Sequence, residues 1–100
     1  MKVAFDVDGT LITFSDRPRW HVIELLKGFH AIGQTVVVWS GGGHDYARHW
    51  VQRLYLEDFV DEIRCKPMRG DGSDLEQLKK EIDICFDDER VDLAKVSVKV

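Results

Sequence analysis

The chain has little cysteine, no long apolar run and no excess of positive charge. Its two cysteines, Cys65 and Cys85, lack CxxC spacing and lie near the ends of apolar runs, so we expect a reduced, cytoplasmic thiol pair. No apolar stretch approaches the length of a membrane span. Asp6 and Asp8 also interrupt the basic-then-apolar layout of a secretion signal. These absences argue against a disulfide framework and against a membrane partner.

The composition is that of one soluble globular domain covering residues 1–100. Apolar residues make up 44% of the chain and charged residues 32%, which excludes a disordered segment, and the formal net charge is -4. Four aspartates stand close to predicted strand ends, namely Asp6, Asp8, Asp87 and Asp88. If they share one cluster, the remaining surface is nearly balanced in charge, and no global field favours nucleic acid or a membrane.

The order of elements predicts an α/β sandwich around a parallel sheet, because apolar runs alternate with helical patterns and there is no internal repeat. The predicted strands are Lys2–Val7, Thr35–Trp39, Phe59–Arg64, Ile82–Phe86 and an edge strand, Val96–Val100. We expect Pro18 in the first turn of the first helix and Gly33 at its exit. A Ser73-Asp74-Leu75-Glu76 capping box opens the last helix. The apolar helix faces comprise Val22, Leu26 and Phe29, then Ala47, Val51 and Leu54, then Leu75, Leu78 and Ile82.

Polar side chains follow three of the predicted strands. Asp6 and Asp8 stand at the end of the first strand, Ser40 follows the second, and Asp87 and Asp88 follow the fourth. Because the carboxyl ends of parallel strands share one edge of the sheet, these side chains should converge there. Converging carboxylates repel one another, and Mg²⁺ bound by one to three of them relieves that repulsion. The sequence therefore predicts a Mg²⁺ site at this edge.

A phosphoryl group bound beside that metal would need hydrogen-bond donors and positive charge. Ser40 offers a hydroxyl, the turns at Gly9-Thr10 and Gly41–Gly43 offer backbone N–H groups, and a lysine can supply the charge. A metal, phosphate donors and a carboxylate nucleophile together favour phosphoryl transfer through an acyl-phosphate.

Four motifs resemble those of the haloacid dehalogenase superfamily. They are Asp6-Val7-Asp8-Gly9-Thr10, Val36-Val37-Val38-Trp39-Ser40, Lys66-Pro67 and Phe86-Asp87-Asp88. The resemblance covers essentially the whole chain and implies a three-layer α/β/α sandwich with a mainly parallel, Rossmann-like sheet of about five strands. The gaps after Thr10 and after the third strand are too short for the cap domain that many members insert, so the chain resembles a capless member.

The resemblance also implies roles for individual residues. Asp6 resembles the nucleophile that is phosphorylated and binds Mg²⁺, and Asp8 the general acid/base, whose backbone carbonyl contacts the metal. An aspartate at this second position favours phosphate hydrolysis. Lys66 resembles the catalytic lysine. The implied phosphate-binding residues are Gly9, Thr10, Ser40, Gly41 and Lys66, and the implied metal ligands are Asp6, Asp8, Asp87 and Asp88. Of these, Asp87 either binds the metal directly or lies just beyond its ligands.

Each of these motifs has a simpler alternative. The first aspartate pair could cap a loop with an Asp-Gly turn, Ser40 could cap a helix, and Asp87-Asp88 could form a polar turn. Lys79 and Lys80 are rivals of Lys66, although both fall inside a predicted helix.

Other polar and aromatic residues have two interpretations. Asp92 either orients metal-bound water or the lysine, or is an exposed carboxylate. Arg64 and Arg69 either contact a second anionic group or are solvated. We expect His44 to be a surface residue at a helix start. Trp39 should be in the core, and Trp20 either there or over the site. The pattern assigns Tyr46 and Trp50 to the packed face of one helix.

Without a cap domain, something else must shield the bound substrate from water. The phosphorylated substrate is either a small molecule or a macromolecule. The substrate's own bulk or a neighbouring subunit of a homo-oligomer could exclude water. Within the chain, only the segments Leu11–Arg19 and Met68–Gly72 are placed to reach over the site.

We therefore predict a Mg²⁺-dependent phosphatase that acts through an aspartyl-phosphate on Asp6. A receiver-like signalling domain is the first alternative, but receivers carry the phospho-accepting aspartate at the end of a middle strand. Here the third strand has only Asp58 and Asp61, near its start. A catalytically idle binding protein on the same fold is the second alternative.

Overall fold

The computed structural model describes residues 1–68 and 74–100. In these two ranges, strands and helices alternate along the chain as far as β4, and a last strand, β5, follows β4 without a helix between them. The elements are β1 (Lys2–Asp6), α1 (Trp20–Ala31), β2 (Thr35–Ser40), α2 (His44–Arg53), β3 (Glu62–Cys65), α3 (Leu75–Glu81), β4 (Ile84–Asp87) and β5 (Val96–Lys99), with a 3₁₀-helix (Glu57–Phe59) before β3.

The five strands form one sheet in the order β3-β2-β1-β4-β5, and every neighbouring pair is parallel. The chain passes outward from β1 through β2 to β3, then returns to the other side of β1 as β4. This reversal creates a crevice at the carboxyl ends of β1 and β4, where ligands bind in open parallel sheets. The predicted parallel α/β fold and the edge position of β5 are confirmed.

The sheet is buried on both faces, which explains why its central strands are continuous apolar runs. Alternate residues point to opposite faces, so Val3 and Phe5 belong to a different core cluster from Ala4. The first cluster includes Val36 and Val38 of β2, Val22, Ile23 and Leu26 of α1, and Ala47, Trp50 and Val51 of α2. The second includes Val37, Trp39, Ile82, Cys85, Leu93 and Ala94, with Leu78 of α3 packed against it. The result is three layers.

Two element boundaries differ from the sequence prediction because tertiary contacts override local patterns. Pro18 is not in the first turn of α1: it forms an isolated bridge with Ile12, and α1 begins at Trp20. Phe59 ends the 3₁₀-helix and packs against the core from there, so β3 starts only at Glu62. By contrast Gly33, with φ +83°, follows α1 as expected.

The last helix also starts and ends differently. Ser73 of the predicted capping box lies outside the described residues. Asp74 is the N-cap of α3, and its carboxylate accepts a hydrogen bond from the Gln77 N–H at 3.1 Å. Ile82 is the C-cap of α3, and β4 begins at Ile84 rather than at Ile82.

Both thiols are free, Cys65 exposed and Cys85 buried. Burial raises the pKa of the Cys85 thiol to about 12, so this thiol stays protonated. Across residues 1–68 and 74–100, we find no helix with the length and apolar character that a membrane crossing requires.

Candidate active site

Four neighbouring strands deliver polar residues to one edge of the sheet. Asp6, Ser40 and Asp87 are the last residues of β1, β2 and β4. Lys66 directly follows β3, and its N–H donates to the Ser40 carbonyl at 2.9 Å. Asp88 follows β4. The parallel register therefore brings together residues that lie far apart in sequence.

The three carboxylates at this edge lie close together. Asp6, Asp87 and Asp88 each place one oxygen within 4.8 Å of the others. Asp6 is 6% exposed and Asp87 fully buried. Burial and the charge of Asp87 raise the pKa of Asp6 to about 7, although Lys66 opposes the shift. Burial and contact with Asp87 also raise the pKa of Asp88. We name Asp6, Asp87 and Asp88 the acidic cluster. Ionisation of this cluster is unfavourable because its carboxylates are close together and partly removed from water.

Lys66 is the cation inside this site. Its Nζ lies 2.7 Å from Asp87 Oδ2 and 3.6 Å from Asp6 Oδ1. Burial lowers the pKa of Lys66, but the hydrogen bond to Asp87 and the charge of Asp6 outweigh burial, and the net shift is upward. Lys66 therefore stays protonated and offsets part of the charge of the acidic cluster.

The acidic cluster suits a hard divalent cation. Its three carboxylate oxygens are of the kind that Mg²⁺ prefers, and they are close enough to share one ion. Asp6, Asp87 and Asp88 would hold it. The Asp8 side chain is engaged elsewhere, since Asp8 Oδ1 accepts a hydrogen bond from the Tyr46 hydroxyl at 2.6 Å.

A pocket of about 190 Å³ opens above the acidic cluster. It is lined by Asp6, Asp8, Phe14, Ser40, Gly41, Gly42, Lys66, Asp88 and Glu89. Ser40 Oγ accepts the Gly42 N–H at 3.0 Å, which fixes the side chain and leaves the hydroxyl proton to be donated. The pocket thus combines carboxylates, a lysine and a hydroxyl donor.

The turn after β1, expected to offer N–H groups to a phosphoryl group, makes contacts within the protein. The Thr10 N–H donates to the Val7 carbonyl at 3.1 Å, and Thr10 is fully buried. Gly9, with φ +79°, packs against Asp88: a Cβ there would lie 2.5 Å from Asp88 Oδ2. The Arg19 guanidinium donates to the Gly9 carbonyl. Gly9 thus packs directly against one carboxylate of the acidic cluster, and Arg19 holds the Gly9 carbonyl.

Two aromatic residues were missed by the sequence analysis as site residues. Tyr46 packs against the core as predicted, and its hydroxyl also reaches Asp8. Phe14, in the segment Leu11–Arg19, lines the pocket and is 78% exposed. A lone aromatic in the polar loop after the first motif is the signal that could have found Phe14. Trp20 is 61% exposed and does not line this pocket.

For other residues with two interpretations, the structure gives contacts outside the pocket. Asp92 pairs with Lys79 at 2.6 Å on the surface, which favours its interpretation as an exposed carboxylate. Arg64 is held by Glu62, at 2.6 Å, and by Glu81. Arg69, like the rest of 69–73, lies outside the described residues. Met68 packs against Gly41 at the pocket wall.

Comparisons with known proteins give little about activity. No protein-family model matches the chain. Over 64 residues, 61% of this chain, it is 34% identical to a protein of Autographa californica nuclear polyhedrosis virus described as an uncharacterized 38.0 kDa protein in the P143-LEF5 intergenic region. The matched region is 20% of that viral protein, so the chain corresponds to about a fifth of its length.

The raised pKa of Asp6 predicts a pH-dependent stability of the metal-free protein. The pKa is about 7 in the fold and 3.8 as an ordinary carboxyl, so between these values the folded state binds more protons than the unfolded state. The free energy of unfolding contributed by Asp6 therefore falls as pH rises through this window. From pH 5 to pH 8, we expect Asp6→Asn to gain about 2–3 kcal/mol relative to the wild type.

Urea unfolding in EDTA at both pH values measures this difference. Asp58→Asn, at an exposed aspartate in the 3₁₀-helix before β3, is the matched control and should follow the wild type. A difference between Asp6→Asn and the wild type that does not change with pH would contradict a charge-strained Asp6.

Proposed function

We propose that this protein is a Mg²⁺-dependent phosphomonoesterase of the haloacid dehalogenase type. The observation that carries the proposal is the acidic cluster with Lys66 at the base of an open pocket whose walls include Asp8 and Ser40. An exposed acidic patch would be solvated and unpaired. Here Asp6 and Asp87 are buried and Asp88 is half-buried. A lysine neutralises part of their charge, and a donor hydroxyl lines the same pocket.

In the first chemical step, Asp6 attacks the phosphorus of the ester. An oxygen–phosphorus bond forms on Asp6 as the bond from phosphorus to the leaving oxygen breaks, and Asp8 gives its proton to that oxygen. Lys66 and Ser40 act on the phosphoryl oxygens, Lys66 by charge and Ser40 by its hydroxyl. When bound, Mg²⁺ supplies positive charge that draws Asp6 into its ionised form and balances the phosphoryl oxygens.

In the second step, water replaces Asp6 on phosphorus. Asp8, now deprotonated, takes a proton from the attacking water, and the Asp6–phosphorus bond breaks. Inorganic phosphate leaves, Asp6 is a free carboxylate again, and Asp8 has regained its proton. The same carboxyl therefore serves as acid in one step and base in the next.

The shape of the pocket limits which phosphate esters could bind. Phe14 lines one side but remains 78% exposed, so it leaves room for a bulky ester. We propose a phosphorylated small molecule or macromolecule as substrate, with the substrate itself or a second subunit excluding water. The two free thiols support a cytoplasmic location.

Hydrolysis of p-nitrophenyl phosphate by the wild type tests this function. We expect turnover in Mg²⁺, its loss in EDTA and its return when Mg²⁺ is restored. No turnover on this ester or on a panel of alkyl and aryl phosphates would contradict the proposal. Stoichiometric labelling by acetyl phosphate without turnover would instead favour the receiver-like alternative.

A further inference from the structure

Besides packing against the core, Tyr46 makes a hydrogen bond to Asp8. It lies in the first turn of α2, and its hydroxyl donates to Asp8 Oδ1 at 2.6 Å across 38 positions of sequence. The ring lies over Gly42, where a Cβ would stand 3.2 Å from a ring carbon. Gly42 therefore provides the space through which Tyr46 reaches the pocket wall.

The contact engages the carboxyl that must exchange a proton in the proposed function. Asp8 is only partly buried and stands in the turn beyond β1. Its side chain would otherwise sample several rotamers. A bond to Oδ1 fixes the carboxyl plane and leaves Oδ2 to carry the proton that moves to the leaving oxygen.

A phenol suits this task because it can donate to Oδ1 in both protonation states of Asp8. The Tyr46 hydroxyl is the donor in this contact, and a carboxyl oxygen can accept whether or not the other oxygen carries a proton. The hydrogen bond can therefore persist while Asp8 changes from acid to base between the two steps.

Resting on the proposed function, we infer that Tyr46 is the positioning residue that holds Asp8 for proton transfer to the leaving group. In that transfer the proton leaves Asp8 Oδ2 as the bond from phosphorus to the ester oxygen breaks, and it ends on the departing alcohol. Tyr46 itself neither gains nor loses a proton.

The test compares two esters of similar shape whose leaving groups differ in their need for a proton. p-Nitrophenolate departs readily as an anion, whereas phenolate departs far more easily when protonated. The ratio kcat/KM covers only the steps up to departure of this group, so it isolates the first proton transfer. We expect Tyr46→Phe to lower kcat/KM about tenfold or more for phenyl phosphate and by less than about threefold for p-nitrophenyl phosphate.

Tyr55→Phe is the matched control, because Tyr55 is the second of the two tyrosines and is 84% exposed after the end of α2. It should match the wild type on both esters. Equal losses on both esters in Tyr46→Phe, or no loss on either, would overturn the positioning role and leave the phosphatase proposal intact. Absence of Mg²⁺-dependent turnover in the wild type would overturn both.

Discussion

Replacing Asp6 by asparagine is expected to lower kcat/KM for Mg²⁺-dependent ester hydrolysis by at least about 10³-fold. The amide is nearly isosteric but a poor nucleophile, and it removes one of the three carboxylate oxygens of the acidic cluster. The fold should remain, because Lys66 keeps its 2.7 Å partner, Asp87. Steady-state hydrolysis of p-nitrophenyl phosphate at saturating Mg²⁺ measures the loss.

Asp58→Asn is again the control, because Asp58 is exposed and precedes the amino end of β3. The pocket lies at the carboxyl ends of the strands. Its activity should equal that of the wild type. If Asp6→Asn kept a tenth or more of the wild-type activity, Asp6 would not be the nucleophile. Greater stability of the same variant at pH 8 in EDTA would show that the loss of activity does not come from unfolding.

The second large effect is expected from Gly9→Ala, which should impair Mg²⁺ binding and activity. A Cβ at this position would lie 2.5 Å from Asp88 Oδ2 and 2.6 Å from Asp88 Cγ, so Asp88 or the turn must shift. The turn cannot shift freely, because Arg19 holds the Gly9 carbonyl. Since displacement of a reacting group by about 1 Å can cost about 10²-fold, we expect a loss of that order and weaker activation by Mg²⁺.

Gly33→Ala provides a control with the same backbone cost. Gly33 has φ +83° against +79° at Gly9, but nothing lies within 4 Å of its Cβ position. Both variants should lose about 1–2 kcal/mol of unfolding free energy from left-handed backbone strain. Activity and Mg²⁺ activation, measured by titrating Mg²⁺ in the ester assay, should change only in Gly9→Ala. Equal behaviour of the two variants would contradict the role of the Gly9–Asp88 contact.

The fold was predictable because burial on both faces of a parallel sheet leaves a strong sequence signal. The β-branched run Thr35–Trp39 was predicted as a strand, and β2 is Thr35–Ser40. Some predicted element boundaries were wrong where local sequence propensity competes with tertiary packing. Phe59 looks like a strand residue, yet it ends a 3₁₀-helix with its ring against the core. Pro18 has the backbone angle of a helix start, but its bridge to Ile12 holds it in the preceding loop.

The site was predictable only as far as it depends on strand ends. Asp6, Ser40, Lys66 and Asp88 meet because parallel strands finish at one edge, and strand positions can be estimated from sequence. Tyr46 could not be found this way, since its contact depends on the orientation of α2 and on the missing side chain of Gly42. The hydrogen bond from the Thr10 N–H to the Val7 carbonyl was likewise not predictable, because it depends on the geometry of the turn.

The central position of β1 has a consequence for the order in which the molecule can form. β1 pairs with β2 on one side and with β4, residues 84–87, on the other. During synthesis one side of β1 therefore remains unpaired until β4 has been made, and such contacts between residues distant in sequence are slow to form. β4 also brings Asp87 and Asp88. Pairing of β4 with β1 therefore completes both the centre of the sheet and the acidic cluster.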